Sequence, residues 1–573
     1  MDSTFNALSL PQLQQIQNFY LNEMDKLNQE RAYLIERGID DGERLLRSAT
    51  DPDVLDDIII RLADLYYYQE KDDFLKRMEE YDRQIQDIGE SGNAPVQEEP
   101  KLNYQKSLEM YQRIIDEFPQ SDLMDDAIYN RGFLLEEMGQ YRLATQTYQH
   151  LIHAFPDSRY VPEAYMRLGE YYFNPPNNDL VQAISFFKKV EQYKESQRYE
   201  EALYKLGWSY YRLSEYPEAI SYFTTLIENV ISMRSIVNQT KAARLDLKDE
   251  AIEYVAISFI DYGGPQKAFL YLKSLNWPEW SLDVLQKLGK IYMLEKEDYP
   301  LAIETFRLLL SVLGKDTTAP LVQQQIVDCY MILGQEDEAV RARRKLFENY
   351  GPNSVWFQTV EDEKSLLHAY RLAEQALREN FNATMRRAMQ SNDPSLFEQS
   401  VELGHHYLEQ FPEDHYAYMV RWNVALILDT KLHDYKAALQ EYMTISLAYN
   451  SSEYMEFARE KGMASIKDAA QNAIVMADTM MRREKTIESA ENPAIAKYTL
   501  EEDSLETLHA IPLMESEKWQ LLTYDNYIKL FPFDSKTPTI LSNAGVLYFT
   551  ANQFDEALKY FKTLKNNFPE SRQ

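Results

Sequence analysis

A short phrase recurs along the chain and constrains its fold more than any other feature. The phrase is Phe-Pro, then any residue, then Ser or Asp, and it occupies residues 118–121, 155–158, 411–414, 531–534 and 568–571. Proline cannot continue a helix, and it biases the residue before it towards extended geometry. Each copy therefore predicts the end of a helix.

Two further phrases predict a pair of helices before these turns. One carries Gly, as in "ALYKLGWSYYRL", and the other carries Ala after an aromatic residue, as in "YPEAISYFTTLI". We interpret them as helix A and helix B of one unit, in which Gly and Ala allow close approach and aromatic residues fill the space beside them. Equivalent alanines recur after 39 residues (Ala144 to Ala183), 36 residues (Ala183 to Ala219) and 37 residues (Ala302 to Ala339). This period predicts an all-α array of stacked helix hairpins.

The unit resembles the tetratricopeptide repeat, whose usual period is 34 residues. The resemblance implies an α-solenoid of tetratricopeptide-type hairpins that winds into a right-handed superhelix. In three copies, the characteristic positions of the family fall on Gly132, Ala144, Tyr148 and Pro156, on Leu203, Gly207, Ala219 and Phe223, and on Gly545, Ala557, Phe561 and Pro569.

The regularity of the repeats predicts four segments. Residues 1–100 form an N-terminal helical segment that ends in a polar loop, and residues 101–352 form the repeat array. Residues 353–530 form an irregular helical region with degenerate repeats, and residues 531–573 form a last repeat that is truncated, because it stops without the polar capping helix of a terminal repeat. Residues 232–248 interrupt the array and are expected to form an inserted loop.

Composition excludes several classes of function. The net charge is −32, so the chain repels phosphate backbones and a nucleic-acid partner is not expected. Cys329 is the one cysteine, which excludes an internal disulfide and a cysteine-based zinc site. Its apolar neighbours predict a buried structural thiol.

Catalytic and cofactor motifs are not recognisable. The histidine pair His150 and His153 has metal-ligand spacing but lacks a matching set of carboxylates or cysteines. There is no phosphate-binding glycine loop and no Gly-x-Ser-x-Gly nucleophile turn. We therefore expect no cofactor, no metal and no enzyme activity, and we expect a scaffold that binds protein or peptide partners.

The resemblance places the partner-binding residues on helix A, where this family lines its groove. The implied groove is aromatic and acidic, which suits peptides with apolar anchors and basic residues and does not suit the carboxylate clamp of tetratricopeptide co-chaperones. The candidate partner-binding residues are Tyr129, Phe133, Glu163, Met166, Glu170, Tyr204, Trp208, Tyr211 and Arg212.

Membrane and targeting signals leave two locations open. No apolar run approaches the ~18 residues of a membrane span, and the N-terminus lacks the basic and apolar regions of a signal peptide. The phrases "LADLYYYQ", "AYMRLGEYYF" and "ALYKLGWSYYRLSEYPEAISYF" resemble large bacterial cell-envelope tetratricopeptide proteins of the adventurous gliding-motility type. That resemblance implies a periplasmic or envelope scaffold whose leader has been removed, related to motility, Tol–Pal or outer-membrane assembly systems. A cytoplasmic adaptor is the alternative, an enzyme ranks third, and the oligomeric state stays open.

Overall fold

A computed structural model describes residues 10–91, 98–233, 241–491 and 509–571. Within these ranges the regular structure is helical and includes no β-strand, so the fold is all-α. Contacts divide the chain into two compact units, Met1–Leu288 and Gly289–Gln573.

The first unit is a stack in which each helix from α1 to α11 contacts the next one in the sequence, as in an α-solenoid. The stack begins with two long helices of 39 and 40 residues and continues with short hairpins. Its helices are α1 (Leu10–Ser48), α2 (Pro52–Ser91), α3 (Gln105–Glu117), α4 (Met124–Glu137), α5 (Tyr141–Ala154), α6 (Val161–Phe173), α7 (Leu180–Val190), α8 (Tyr199–Arg212), α9 (Tyr216–Met233), α10 (Lys241–Asp261) and α11 (Gly264–Ser274), and α12 (Ser281–Leu294) contains the boundary residue Leu288.

The second unit stacks its helices in the same manner but includes longer ones. A π-helical segment, Leu428–Leu432, extends one of its helices. Its helices are α13 (Tyr299–Leu313), α14 (Ala319–Ile332), α15 (Glu336–Tyr350), α16 (Val355–Thr359), α17 (Glu363–Ser391), α18 (Pro394–Gln410), α19 (His415–Ile427), α20 (Tyr435–Ala448), α21 (Ser452–Glu460), α22 (Ile466–Glu491), α23 (Glu515–Leu530), α24 (Thr537–Thr550) and α25 (Phe554–Asn567).

The helix-A glycines pack against helix-B aromatic rings, which confirms the prediction of close approach. A Cβ atom added at Gly132 would lie 2.7 Å from the Tyr148 ring, and one added at Gly169 would lie 2.3 Å from the Phe187 ring. Such distances leave no room for a side chain. The same contact recurs between Gly207 and Phe223, Gly289 and Phe306, and Gly545 and Phe561. The alanines used to measure the repeat are also buried.

All five Phe-Pro phrases end a helix, as predicted. The helices α3, α5, α18, α23 and α25 each stop at the residue before the Phe. At Phe118, φ is −125° and ψ is 61°, outside the helical region, as expected for a residue that precedes proline. The Ser or Asp at the fourth position donates its backbone N–H to the Phe carbonyl, at 3.0 Å in Ser121. The phrase is therefore a turn that closes one hairpin and opens the next.

The prediction of an inserted loop at residues 232–248 is wrong for the second half of that range. Helix α10 begins at Lys241 and runs without interruption to Asp261, while residues 234–240 lie outside the described part. Between α6 and α7, residues 174–179 lie outside any helix.

Candidate functional site

The predicted partner-binding residues lie on α4, α6 and α8 of the first unit, whose side chains contact one another. We call this surface the helix-A face. Most of the predicted residues on it are half-buried and Arg212 is exposed. Met166 is an exception, because it is 1% exposed and packs in the core with Phe187 and Leu206. Met166 cannot meet a partner, and its assignment to the site was wrong.

Alternating charges cross the helix-A face from one repeat to the next. The Arg167 guanidinium lies 3.5 Å from Glu136 of the preceding repeat and 3.2 Å from Glu163. Arg198 continues the series, donating to Glu163 at 2.9 Å and to Glu201 at 2.6 Å. These partly buried pairs tie the three repeats together, and we call them the ion-pair ladder.

A second pair lies further along the same helices. The Lys205 ammonium is 3.8 Å from the Glu170 carboxylate. Burial raises the pKa of Glu170, and the attraction of Lys205 opposes that rise. The glutamates that the sequence predicted to make an acidic groove are thus largely neutralised by neighbouring cations.

The cations of this face also lie over aromatic rings. Arg167 lies 5.6 Å from the centre of the Phe133 ring, and Lys205 and Arg212 lie 5.0 and 4.7 Å from the centre of the Phe173 ring. Arg212 also donates to the Phe173 carbonyl at 3.1 Å. Such cation–π contacts contribute about 0.5–2 kcal/mol each. They hold Phe133 and Arg212 in the interface between repeats.

An open cleft of about 1140 Å³ lies at one end of the ladder. Its wall includes Tyr129 and Tyr160, whose rings stack with centres 4.4 Å apart and planes 10° apart. Burial raises the pKa of Tyr160 to about 12, so its hydroxyl remains protonated at neutral pH and donates to Asp126 at 2.5 Å. We call this space the tyrosine cleft, and its lining is Tyr129, Arg159, Tyr160, Pro162, Glu163, Arg167 and residues 192–198.

The remaining predicted aromatic residues form a separate cluster against α10. The Trp208 and Tyr254 rings have centres 4.5 Å apart, and the Tyr204 ring centre is 5.9 Å from that of Tyr254. Tyr211 donates its hydroxyl to Asp261 at 3.0 Å. One side of each of these three side chains packs against the next repeat. The other side is partly accessible to solvent.

The structure therefore brings Tyr129 and Glu163 together in the cleft and leaves the Trp208 group apart from them. Sequence reasoning missed Arg167, Arg198 and Tyr160, because it counted only the family's groove positions on helix A. The sequence contained one signal for two of them. Tyr160 and Arg198 occupy equivalent positions, each three residues before a glutamate of the first turn of helix A (Glu163 and Glu201). The residue just before helix A therefore belongs to the surface.

The described residues contain no group of three or more His, Cys, Asp or Glu that could hold a metal ion. The Nε2 atom of His405 lies 2.9 Å from a carboxylate oxygen of Glu441, so this histidine contacts a side chain of the protein. Cys329 is buried, as predicted, and burial raises the pKa of its thiol to about 11. Among the described helices, none combines the length and apolar character needed to cross a membrane.

Comparison with known proteins supports the repeat assignment. The profile of the tetratricopeptide repeat family matches residues 126–158, 201–230 and 541–571. No curated protein sequence matches the chain.

Solved structures resemble the chain at low sequence identity. The C-terminal part of a tetratricopeptide repeat-containing protein from Cytophaga hutchinsonii is 16% identical, with 55% of this chain and 98% of that one covered and a TM-score of 0.28. The Naa15/Naa10 complex bound to HypK-THB matches at 14% identity over 85% of this chain and 68% of that one, with a TM-score of 0.26. The assignment rests on the three profile matches and on the packing of the helix pairs.

Proposed function

We propose that this chain, which carries tetratricopeptide repeats, is a non-enzymatic scaffold that binds a protein partner on the helix-A face of its first unit. Repeats of this type are typical of protein–protein interaction scaffolds. The observation that carries the proposal is the stacked Tyr129–Tyr160 pair, which lines an open cleft beside three arginines. Rigid aromatic residues next to arginines are the combination that dominates binding energy at protein interfaces.

The tyrosine cleft suits an apolar anchor from an extended or helical segment of the partner. An anchor placed against the Tyr129–Tyr160 pair would bury apolar surface that contributes about 1.5–3 kcal/mol per large side chain. The tyrosine rings are already fixed by stacking and by the bond from Tyr160 to Asp126, so little conformational entropy is lost when the partner binds. The neighbouring loop, residues 192–198, adds polar groups around the anchor.

Charge acts at longer range than these contacts. The net charge of −32 attracts basic partners and speeds their association. Within the face, a basic side chain of the partner would compete with Arg167 or Arg198 for a glutamate that is already paired. Basic residues of the partner should thus raise the association rate more than they lengthen the lifetime of the complex.

Affinity capture from the source organism, followed by variants, tests the proposal. Tyr129→Ala/Tyr160→Ala is expected to weaken binding of the captured partner by tenfold to a hundredfold, which corresponds to about 1.4–2.7 kcal/mol. Phe533→Ala removes an exposed aromatic residue of the second unit and is the matched control. Unchanged binding by the folded double variant would remove the cleft from the site.

A second pair of variants covers the case in which the tyrosine substitutions disturb packing. Arg159→Glu reverses a charge at the rim on a side chain that is 72% exposed, so the helices should remain intact. The added negative charge should raise the association rate of a basic partner seated in the cleft, and an unchanged rate would mean that the partner does not approach this rim. Tyr204→Ala/Trp208→Ala tests the separate cluster: a lower melting temperature with normal capture would mean that those residues serve packing alone.

We place this scaffold in a bacterial cell-envelope complex, on the resemblance of its repeat phrases and Phe-Pro linkers to envelope proteins. A specific antibody applied to fractions of the source organism tests that placement. Recovery with the periplasm or envelope is the expected result, and recovery with the cytosol would favour the adaptor alternative.

A further inference from the structure

The N-terminal half of α1 presents an apolar stripe that no described residue covers. From Leu13 to Arg31, every described side chain is exposed except the half-buried Glu23. Apolar residues nevertheless recur there at helical spacing, and they are between 42% and 63% exposed. We call these residues the α1 stripe: Leu13, Ile16, Tyr20, Met24 and Leu27.

The C-terminal half of α1 buries part of its apolar surface and packs against α2. Further along the helix, Ile35 and Ile39 are buried, and Gly38 and Gly42 pack against leucines of α2. A helical segment that buries no apolar face gains little stability from packing. Half-exposed side chains of this kind present roughly 100 Å² each, and with the flanking Phe19 and Leu21 the surface approaches the ~800 Å² that each partner buries in a standard interface.

The spacing of the stripe is its own mirror image. Its residues are separated by steps of three, four, four and three, so the pattern reads the same in both directions from Tyr20. Two antiparallel copies of α1 related by a two-fold axis at Tyr20 would place Leu13 opposite Leu27 and Ile16 opposite Met24. A two-fold interface requires this self-complementarity.

Charge favours the same register. Residues 10–22 contain no charged side chain, in a chain whose net charge is −32. In the antiparallel register, Glu23 lies opposite Gln17 and Lys26 opposite Gln14, so no like charges meet. A second copy of an acidic chain can thus approach here without the repulsion that it meets elsewhere.

We propose that the α1 stripe is a homodimer interface, in which α1 helices of two copies pack antiparallel about a two-fold axis at Tyr20. This interface is separate from the helix-A face and does not depend on the function proposed for that face. The occupant of the stripe is a second copy of this chain.

Sedimentation velocity of the full chain tests the proposal. The native chain should sediment at twice its mass of 67.4 kDa. The triple variant Ile16→Gln/Tyr20→Gln/Leu27→Gln should weaken self-association at least a hundredfold without loss of helicity, because these side chains are exposed. The matched control is Leu294→Gln/Val355→Gln/Leu447→Gln, which removes three exposed apolar side chains outside the stripe.

Disulfide trapping tests the register. A mixture of Leu13→Cys and Leu27→Cys chains should form a cross-linked dimer on mild oxidation, whereas neither variant alone should, and the native Cys329 is buried. A monomeric native chain, a dimer that survives the triple variant, or cross-linking of Leu13→Cys only with itself would each overturn the proposal. Coverage of the stripe by a different protein on a monomeric chain would overturn it as well.

Discussion

At the residue scale, one contact type determines how close the two helices of a repeat can lie. The helix-A glycine faces a helix-B aromatic ring in five repeats, three in the first unit and two in the second. Glycine lowers the intrinsic stability of a helix by about 1 kcal/mol relative to alanine. Its retention here is explained by the ring, which occupies the space where a Cβ atom would lie.

Gly207→Ala should therefore destabilise the first unit even though alanine favours the helix. The new Cβ atom would lie 2.6–2.8 Å from three atoms of the Phe223 ring. Overpacking of this kind costs about 1–3 kcal/mol, which exceeds the gain of about 1 kcal/mol from helix propensity. Urea unfolding followed by circular dichroism should show a lower midpoint for the variant.

A double-mutant cycle provides the control for that prediction. Phe223→Leu removes the ring, so Gly207→Ala should cost less in the Phe223→Leu background than in the native chain. If the two effects simply add, the ring is not the reason for the glycine.

At the scale of elements, the Phe-Pro turn ends one helix and leads into the next, and its fourth residue can accept a hydrogen bond from the backbone just before that next helix. Asp534 shows the fullest version: its carboxylate accepts from the Lys536 backbone N–H at 3.0 Å and from the Tyr527 hydroxyl at 2.8 Å, and it pairs with Lys467. These groups, Lys467 first, hold the pKa of Asp534 well below its usual 3.8. One side chain thus joins α22, α23 and α24.

The stability contributed by Asp534 should depend on pH. A lowered pKa in the folded chain means that the contribution is complete above about pH 4 and is lost as the pH falls from there towards the folded-state pKa. Asp534→Asn should lower the urea midpoint at pH 7, and the difference from the native chain should shrink below pH 4. Asp157→Asn, at an exposed position of another Phe-Pro turn, is the control, and a difference that stayed constant with pH would contradict the account.

Local chemistry explains which elements could be predicted from the sequence. Proline predicts the helix ends at the Phe-Pro turns, and these ends are confirmed. Glycine predicts that helix B lies close to helix A at Gly132 and Gly207, which is also confirmed. The start of α10 at Lys241 was missed because residues 232–248 lack the repeat phrases, although nothing in 241–248 breaks a helix.

The candidate site was harder to predict, because contacts between repeats decide it. Met166 occupies a groove position of the family but is buried in the core. Arg167 neutralises both Glu163, one turn before it on the same helix, and Glu136, on helix A of the preceding repeat. The periodicity of a sequence predicts which face of a helix is buried, but it does not predict which side chains of other helices contact that face.

At the scale of the whole molecule, tyrosine is unusually abundant, with 42 residues. Several buried tyrosines donate to carboxylates, as Tyr111 does to Asp64 at 2.5 Å and Tyr407 does to Glu374 at 2.7 Å. Burial first, and then the nearby negative charge, raises the pKa of both hydroxyls far above 10. Tyr148 beside Glu136 behaves in the same way.

Alkaline unfolding should therefore be steep. A raised pKa in the folded chain means that the stability from these tyrosines is complete below pH 10 and is lost as the pH rises further, because the unfolded chain releases their protons first. Tyrosinate absorbance at 295 nm and loss of helical circular dichroism should rise together above about pH 10 for the buried tyrosines. Ionisation of all tyrosines near pH 10 with the helices intact would contradict this account.

Binding of a protein partner to the helix-A face of the first unit can be observed along the backbone. Hydrogen exchange of the full chain, measured by mass spectrometry with and without the captured partner, tests it most directly. We expect new protection in peptides that cover residues 124–137, 159–173 and 192–212, with the largest change around Tyr129, Tyr160 and the 192–198 loop. Protection confined to other helices, with these peptides unchanged, would contradict the claim.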